Sequence, residues 1–369
     1  MSFTLLASGY GGLISTLALD TAAGTFNETS TISSGNAPTW LTLHDKHPVV
    51  YTGDEFSSPD GDLYSFRVGT DGHLTRLNTA KVGEGPVHFA VNQQGSSLYS
   101  ANYGSGTLSV VGLNQDGSFK DSQAETFKYV GTGPNKERQE APHVHGVYVD
   151  PTGDFLFATD LGGDQLKVYK IEGDAVSARP SITLPAGNGP RHLAITAPSA
   201  SQSKTLLYLV EELTSTLAIF EVLYPTTPDG PLALAAIQTE LSVLPPDASS
   251  FAVDWTAAEL ALSADRRFLY VSNRAPLDPH PEADTLTIFE LNGEGGVVTA
   301  VPPTYFSLGG RGPRHFSLSP KKDGQPEGKY MAVALQRTNE VVVYEVKGKE
   351  LTEVARVKDI KEPTAVVWL

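Results

Sequence analysis

The chain of 369 residues contains no cysteine. That absence excludes disulfides, zinc–thiolate sites, iron–sulfur clusters and a thiol nucleophile. Basic side chains are also scarce, 27 against 42 acidic ones, for a net charge of −15. Nucleic acids and anionic membranes are recognised through basic patches, so neither is an expected partner. No apolar run approaches the roughly 18 residues of a membrane-spanning helix. The opening residues MSFTLLASGYGG have neither the basic start nor the long apolar stretch of a secretory signal, so a cytosolic protein is expected. The glycosylation sequon Asn27-Glu28-Thr29 is then a chance match. What the chain has in quantity is glycine (35) and proline (25), which argues for many turns and against long helices.

The sequence repeats itself. Gly85-Pro86-Val87-His88-Phe89-Ala90-Val91 is followed by a turn, then by Ser97–Tyr103, a second turn, and Thr107–Val111. The same three-part phrase begins again at Pro142, Gly189, Ala257 and Gly312, with a weaker copy from Ala37. Each copy holds three short β-branched and aromatic runs and a fourth, more polar one. Four strands in a unit of roughly 50 residues is the signature of a propeller blade. Two leftover pieces, Leu5–Asp20 and Pro363–Leu369, resemble the second half and the first strand of a unit. Joined, they supply a seventh blade and leave no sheet edge exposed. The expectation is an all-β, seven-bladed β-propeller with four antiparallel strands per blade, forming one domain over residues 1–369.

A repeat allows equivalent positions to be compared within one sequence. The first strand of each blade lines the central channel. Six residues before the turn that follows it stand Thr39, Val87, His145, Arg191, Ala258 and Arg314. Small or apolar residues would suffice for a scaffold, yet three blades place His145, Arg191 and Arg314 in this ring. The next position holds Trp40, His88, Gly146, His192, Glu259 and His315. Strand alternation turns those side chains into the blades, so His88, His192 and His315 read as structural. A second column lies just beyond strand two: Glu55, Tyr103, Leu161, Glu212 and Arg274. Strands one and two run antiparallel, so both columns converge on one mouth of the channel. Channel mouths of closed β architectures are common ligand sites.

Each candidate also has a plainer reading. His143 and His145 form a His-x-His pair, but no third ligand accompanies it and no metal is expected. Arg191 and Arg314 sit in Gly-Pro-Arg-His phrases that serve turns as well as anion binding. Glu211 and Glu212 are adjacent, and alternation turns only one of them inward. Arg274 bridges blades or meets a ligand. The insertion Leu277–Asp284 reads as a rim loop. No phosphate-binding loop and no nucleophile elbow is present.

At these residues the sequence resembles the seven-bladed propeller lactonases, the family of bacterial-type 6-phosphogluconolactonase and the fungal 3-carboxy-cis,cis-muconate lactonizing enzyme. The resemblance covers nearly the whole chain. Its most specific part runs from Gly133-Pro134-Asn135 through Arg138-Gln139 to Pro142-His143-Val144-His145. It implies His145 and Glu212 as acid–base residues. It implies Arg191 and Arg274 as holders of the substrate's carboxylates. Arg314 and Arg138 join them as substrate-binding candidates, and Tyr103, Glu55 and Glu211 as residues that shape the site. It implies no cofactor. Glu211 and Glu259 depart from the asparagine and aspartate frequent among relatives.

Two reactions fit this set. In lactone hydrolysis a base activates water, cations stabilise the oxyanion, and an acid protonates the departing alkoxide. In cycloisomerisation a substrate carboxylate adds to its own double bond and no water enters. The Gly-Pro-Asn to His-x-His stretch favours a lactonase acting on a small anionic lactone. A cyclase acting on a muconate-type or secondary metabolite, and a non-enzymatic binding propeller, are the alternatives. A closed propeller is self-sufficient, so a monomer is expected.

Overall fold

The computed structural model describes residues 1–120, 123–199, 203–227, 230–246, 248, 255–275, 284–293 and 296–369. Residues 277–283 of the expected rim loop lie outside them. The described residues form seven four-stranded antiparallel sheets. The first blade is β4–β7 (Thr42–Leu43, Val49–Asp54, Gly61–Val68, Leu74–Val82), and the second is β8–β11 (Pro86–Val91, Ser97–Asn102, Thr107–Gly112, Glu125–Lys128). The third is β12–β15 (Val144–Val149, Phe155–Asp160, Gln165–Glu172, Ala175–Thr183), and the fourth β16–β19 (Pro190–Thr196, Leu206–Glu211, Thr216–Leu223, Ala233–Ser242). The fifth is β20–β23 (Thr256–Leu262, Phe268–Arg274, Thr285–Glu290, Thr304–Ser307), and the sixth β24–β27 (Pro313–Leu318, Tyr330–Leu335, Glu340–Lys347, Glu350–Lys358). The seventh takes its inner strand β28 (Pro363–Trp368) from one end of the chain and β1–β3 (Ser2–Gly9, Leu13–Asp20, Thr25–Ser33) from the other. Leu5 faces Trp368 and Ala7 faces Val366 across that seam. The seven-bladed propeller read from the repeat is the fold.

The apolar core is divided among the gaps between blades. Phe155, Phe157, Leu166 and Val168 of the third blade pack on Leu193, Leu207, Leu209 and Phe220 of the fourth. Because both faces of a middle strand meet a neighbour, β5, β9, β13 and β17 are buried along their whole length. Outer strands such as β3 and β19 alternate or lie open to solvent. The aromatic side chain of strand two also reaches across the gap. The hydroxyls of Tyr51, Tyr208 and Tyr270 donate to the Gly117, Gly296 and Gly348 carbonyls in the hairpin of the next blade, at 2.6, 2.5 and 3.0 Å.

One irregularity recurs at the channel end of the inner strands. Pro86 faces Asn102 and His88 faces Ala101, so Val87 is an extra residue. His145, Arg191, Arg314 and Thr364 occupy the same extra position in β12, β16, β24 and β28. In β20 the pair Ala258-Glu259 stands opposite the single residue Ser272. A bulge breaks the period-two alternation and re-aims a side chain. The glycine before three of these strands starts the turn: Gly85, Gly189 and Gly312 have φ of +70°, +64° and +71°, a conformation glycine adopts without Cβ strain.

The bulges overturn one expectation. His88, His192 and His315 do not point into their blades; with the alternation broken, they follow the bulged residue toward the channel axis. There Trp40 meets His88, His192 and His315 at ring-centroid distances of 4.3, 5.2 and 4.8 Å. The layer includes Glu259, whose carboxylate lies 2.9 Å from His192 Nδ1. Gly146 leaves the gap that the Tyr148 ring fills, since a Cβ there would sit 2.7 Å from that ring. This layer plugs the channel.

Candidate active site

Above the plug lies an open cavity of about 500 Å³, within the usual range for small-molecule sites. Its wall contains His145 from the bulge of β12, Arg314 from the bulge of β24, and Glu55, Tyr103, Glu212 and Arg274 from the ends of second strands. Arg138 reaches in from the segment before β12. Seven of the nine residues singled out in the sequence thus meet in one place.

The other two do not line it. Arg191 is buried beneath the wall, 2% exposed, with Nε 2.9 Å from Glu212 Oε2 and Nη1 donating to the Ala258 carbonyl. Its depth makes it a counter-ion below the cavity rather than part of the wall. Glu211 turns the opposite way from Glu212. It accepts hydrogen bonds from Asn188 Nδ2 at 2.7 Å and Thr216 Oγ1 at 2.6 Å inside the blade. Burial raises its carboxyl above the ordinary range. The structure adds Tyr10, Thr256, Ala275 and Arg337 to the wall. Tyr10 is the second-column residue of the seventh blade, four positions past Leu6. The count from an aromatic does not find it, because that blade has leucine where five of the others have tyrosine or phenylalanine.

Glu212 is the hub of the site. Arg138 Nη2 lies 2.9 Å from its Oε1, Arg274 Nη2 3.4 Å from the same oxygen, and Arg191 Nε 2.9 Å from Oε2. Burial alone would raise its carboxyl, but Arg274, Arg191 and Arg138 outweigh that and hold it at about 2. It is a permanent anion at any working pH. The same burial lowers Arg274 to about 9, with Glu212 opposing the drop and the neighbouring arginines adding to it. Arg314 pairs loosely with Glu55 at 3.8 Å and lies 5.4 Å from the Tyr10 ring centre. The Tyr10 hydroxyl donates in turn to both Glu55 oxygens, at 3.2 and 3.1 Å.

His145 is the opposite case. Its Nδ1 is sealed in without a hydrogen-bond partner, which leaves Nε2 as the nitrogen open to the cavity. Burial, then the charge of Arg191, the His192 ring, Arg314 and Arg274, push its pKa well below the ordinary 6.5, so the imidazole is neutral. His143 is not its partner. Nδ1 of His143 meets the Tyr103 carbonyl at 3.0 Å and its Nε2 meets Glu140 at 2.9 Å. With both nitrogens engaged, the His-x-His pair is split between a structural ring and a free one.

The buried imidazoles predict acid sensitivity. Burial lowers His88, His145, His192 and His315 from 6.5. In the unfolded chain they take up protons below that value, while the fold keeps them neutral. Their stability contribution is therefore full above about pH 6.5 and falls as pH drops, by up to about 1.4 kcal/mol per unit for each. Glu259 and Glu211, both raised by burial, act in the opposite sense and offset two histidines at most. The urea midpoint is expected to fall steeply between pH 6.5 and 5; a flat profile would mean these rings carry protons in the native state.

Comparison with known proteins follows the geometry. The family model described as lactonase, 7-bladed beta-propeller matches residues 2–368. A protein of Arthroderma benhamiae named "Probable 6-phosphogluconolactonase" is 30% identical over 360 residues, covering 96% of this chain and 86% of its own. The 6-phosphogluconolactonase of Bacillus subtilis is 27% identical over 329 residues, 89% of this chain and 85% of its own. A solved structure from Lactobacillus plantarum matches with a TM-score of 0.82 at 27% identity, covering 100% of both chains.

Proposed function

The chain belongs to the family of seven-bladed β-propeller lactonases, and we propose that it hydrolyses an anionic sugar lactone with His145 as the base. Its activity is that of a lactonase; the substrate class and the residue roles are what is proposed. The observation that carries it is the contrast between the two titratable groups on the wall. Glu212 is locked by three guanidiniums, whereas the neutral His145 has a nitrogen free to take a proton.

In this reading water lies on His145 Nε2, which removes a proton as the oxygen attacks the ring carbonyl. Arg138 and Arg274, fixed by Glu212, face the oxygen that becomes negative. The imidazolium then returns its proton to the departing alkoxide. Glu212 positions these guanidiniums and exchanges no proton itself. The cavity wall carries four guanidiniums, Arg138, Arg274, Arg314 and Arg337, against two carboxylates, Glu55 and Glu212. The surplus of two positive charges supports a dianionic substrate such as a phosphate monoester. Its arrival also offsets the positive field that depresses His145, making the imidazole a better base when substrate is bound.

The test follows acid release at constant pH from phosphorylated sugar lactones, plain sugar lactones and muconolactone-type compounds. Selective turnover of the phosphorylated class is expected, with one oxygen from ¹⁸O-labelled water entering the product. Turnover confined to the muconolactone class, or product formed without solvent oxygen, would refute the reading.

A further inference from the structure

The four guanidiniums on the wall are not equivalent. Arg138 and Arg274 are bound to Glu212, so their charge is already engaged at one end of the cavity. Arg314 has a loose 3.8 Å contact with Glu55 and the face of the Tyr10 ring at 5.4 Å. Arg337 donates to the Ala275 carbonyl and lies in the field of the Asp284 carboxylate without a close contact to it. Both Arg314 and Arg337 belong to the sixth blade. Arg314 stands in the bulge at the start of β24, and Arg337 follows the end of β25. Antiparallel pairing brings those ends together, and the Arg337 N–H donates to the Arg311 carbonyl at 3.0 Å. Gly312 makes this approach feasible, since a Cβ there would meet Arg337 Cγ at 2.9 Å. Arg337 is exposed at the rim, while Arg314 is half-buried below it. The pair thus offers cationic charge from the rim inward that is held less tightly than that of Arg138 and Arg274 at the Glu212 hub.

We propose that Arg337, with Arg314, forms the subsite for the anionic end of the lactone, and that Arg337 sets the preference for phosphorylated over plain sugar lactones. The proposal rests on the lactonase reading above and adds where the substrate's charge is recognised. An arginine fork matches phosphate oxygens in a way a committed guanidinium cannot. The lactone ring then lies over His145 with its carbonyl toward Arg138 and Arg274, and the phosphate points to the sixth blade.

The experiment compares wild type with Arg337→Gln and Arg337→Lys on a 6-phosphorylated sugar lactone and on its unphosphorylated counterpart. Inorganic phosphate serves as a competitive probe of the subsite. Arg337→Gln is expected to raise KM for the phosphorylated lactone about ten- to hundredfold, in line with losing a charge-assisted contact. It should raise the phosphate inhibition constant in parallel and leave the plain lactone within about twofold. Arg337→Lys should recover part of the loss. Equal losses on both lactones, or none on either, would overturn the proposal. A wild type that binds phosphate through Arg337 but opens no lactone would sink the lactonase reading and leave the subsite standing. A wild type that opens both lactones equally and ignores phosphate would do the reverse.

Discussion

Glu212→Gln is expected to destabilise the fold by about 3–5 kcal/mol and to abolish measurable lactone hydrolysis together. The stability figure follows from removing one partner of a buried ion cluster, which leaves the others uncompensated. Arg191 and Arg274 are buried and Arg138 is partly so, and all three turn their guanidinium toward this carboxylate. Glutamine keeps the shape and two polar atoms but removes the charge that makes three positive groups tolerable in one place. At the usual entropy of unfolding per residue, that loss is a fall in Tm of about 4–6 °C for a chain of this length. Thermal unfolding of the variant beside wild type, at neutral pH and in matched salt, measures it. An unchanged Tm would mean that the arginines are solvated well enough to dispense with Glu212.

His145→Asn is expected to separate the two effects that Glu212→Gln merges. The His145 ring makes no hydrogen bond with its buried Nδ1 and no ion pair, only edge contacts with the Tyr103 and His192 rings, so its removal breaks no polar contact of the site. Loss of a general base is worth roughly 10²–10⁴-fold in rate. The variant should therefore melt within a degree or two of wild type while kcat falls by that factor and KM changes little. If activity survives, the base is elsewhere on the wall. If Tm falls as far as in Glu212→Gln, the imidazole is part of the scaffold and the assignment of roles must be reversed.

The repeat made the architecture legible, because each blade restates the same phrase and the two leftover pieces complete each other. The site was legible to the extent that it follows from blade equivalence. His145, Arg314, Glu55, Tyr103, Glu212 and Arg274 fall at matching positions, and Arg138 lies in the stretch most specific to the family. The failures share one cause. Alternation was assumed to continue to the strand ends, and a one-residue bulge is invisible to a pattern of apolar and polar residues. His88, His192 and His315 were accordingly assigned to the blades, whereas they close the channel with Trp40. Depth was likewise hidden: Arg191 and Arg314 share a phrase and a column, yet only Arg314 reaches the cavity wall. Arg337 gave no signal because it lies one residue past Gln336, the second-column position of a blade whose middle strand has no aromatic at the place used for counting.

The same bulges bear on how such a protein changes its chemistry. Each is an insertion relative to the ladder, so its side chain stands outside the period-two register, although Val87 still packs in the apolar layer between the second and third blades. Where such a side chain reaches the wall, as at Val87, His145 and Arg314, an exchange alters the chamber and leaves the ladder's register in place. Val87 offers a small side chain on the cavity wall, whereas Ala258 and Thr364 lie off it, with the Thr364 hydroxyl donating to the Ser8 and Thr39 carbonyls. Substrate range could therefore drift through single exchanges at separate blades, each tried by selection on its own, while the ring that displays them stays the same.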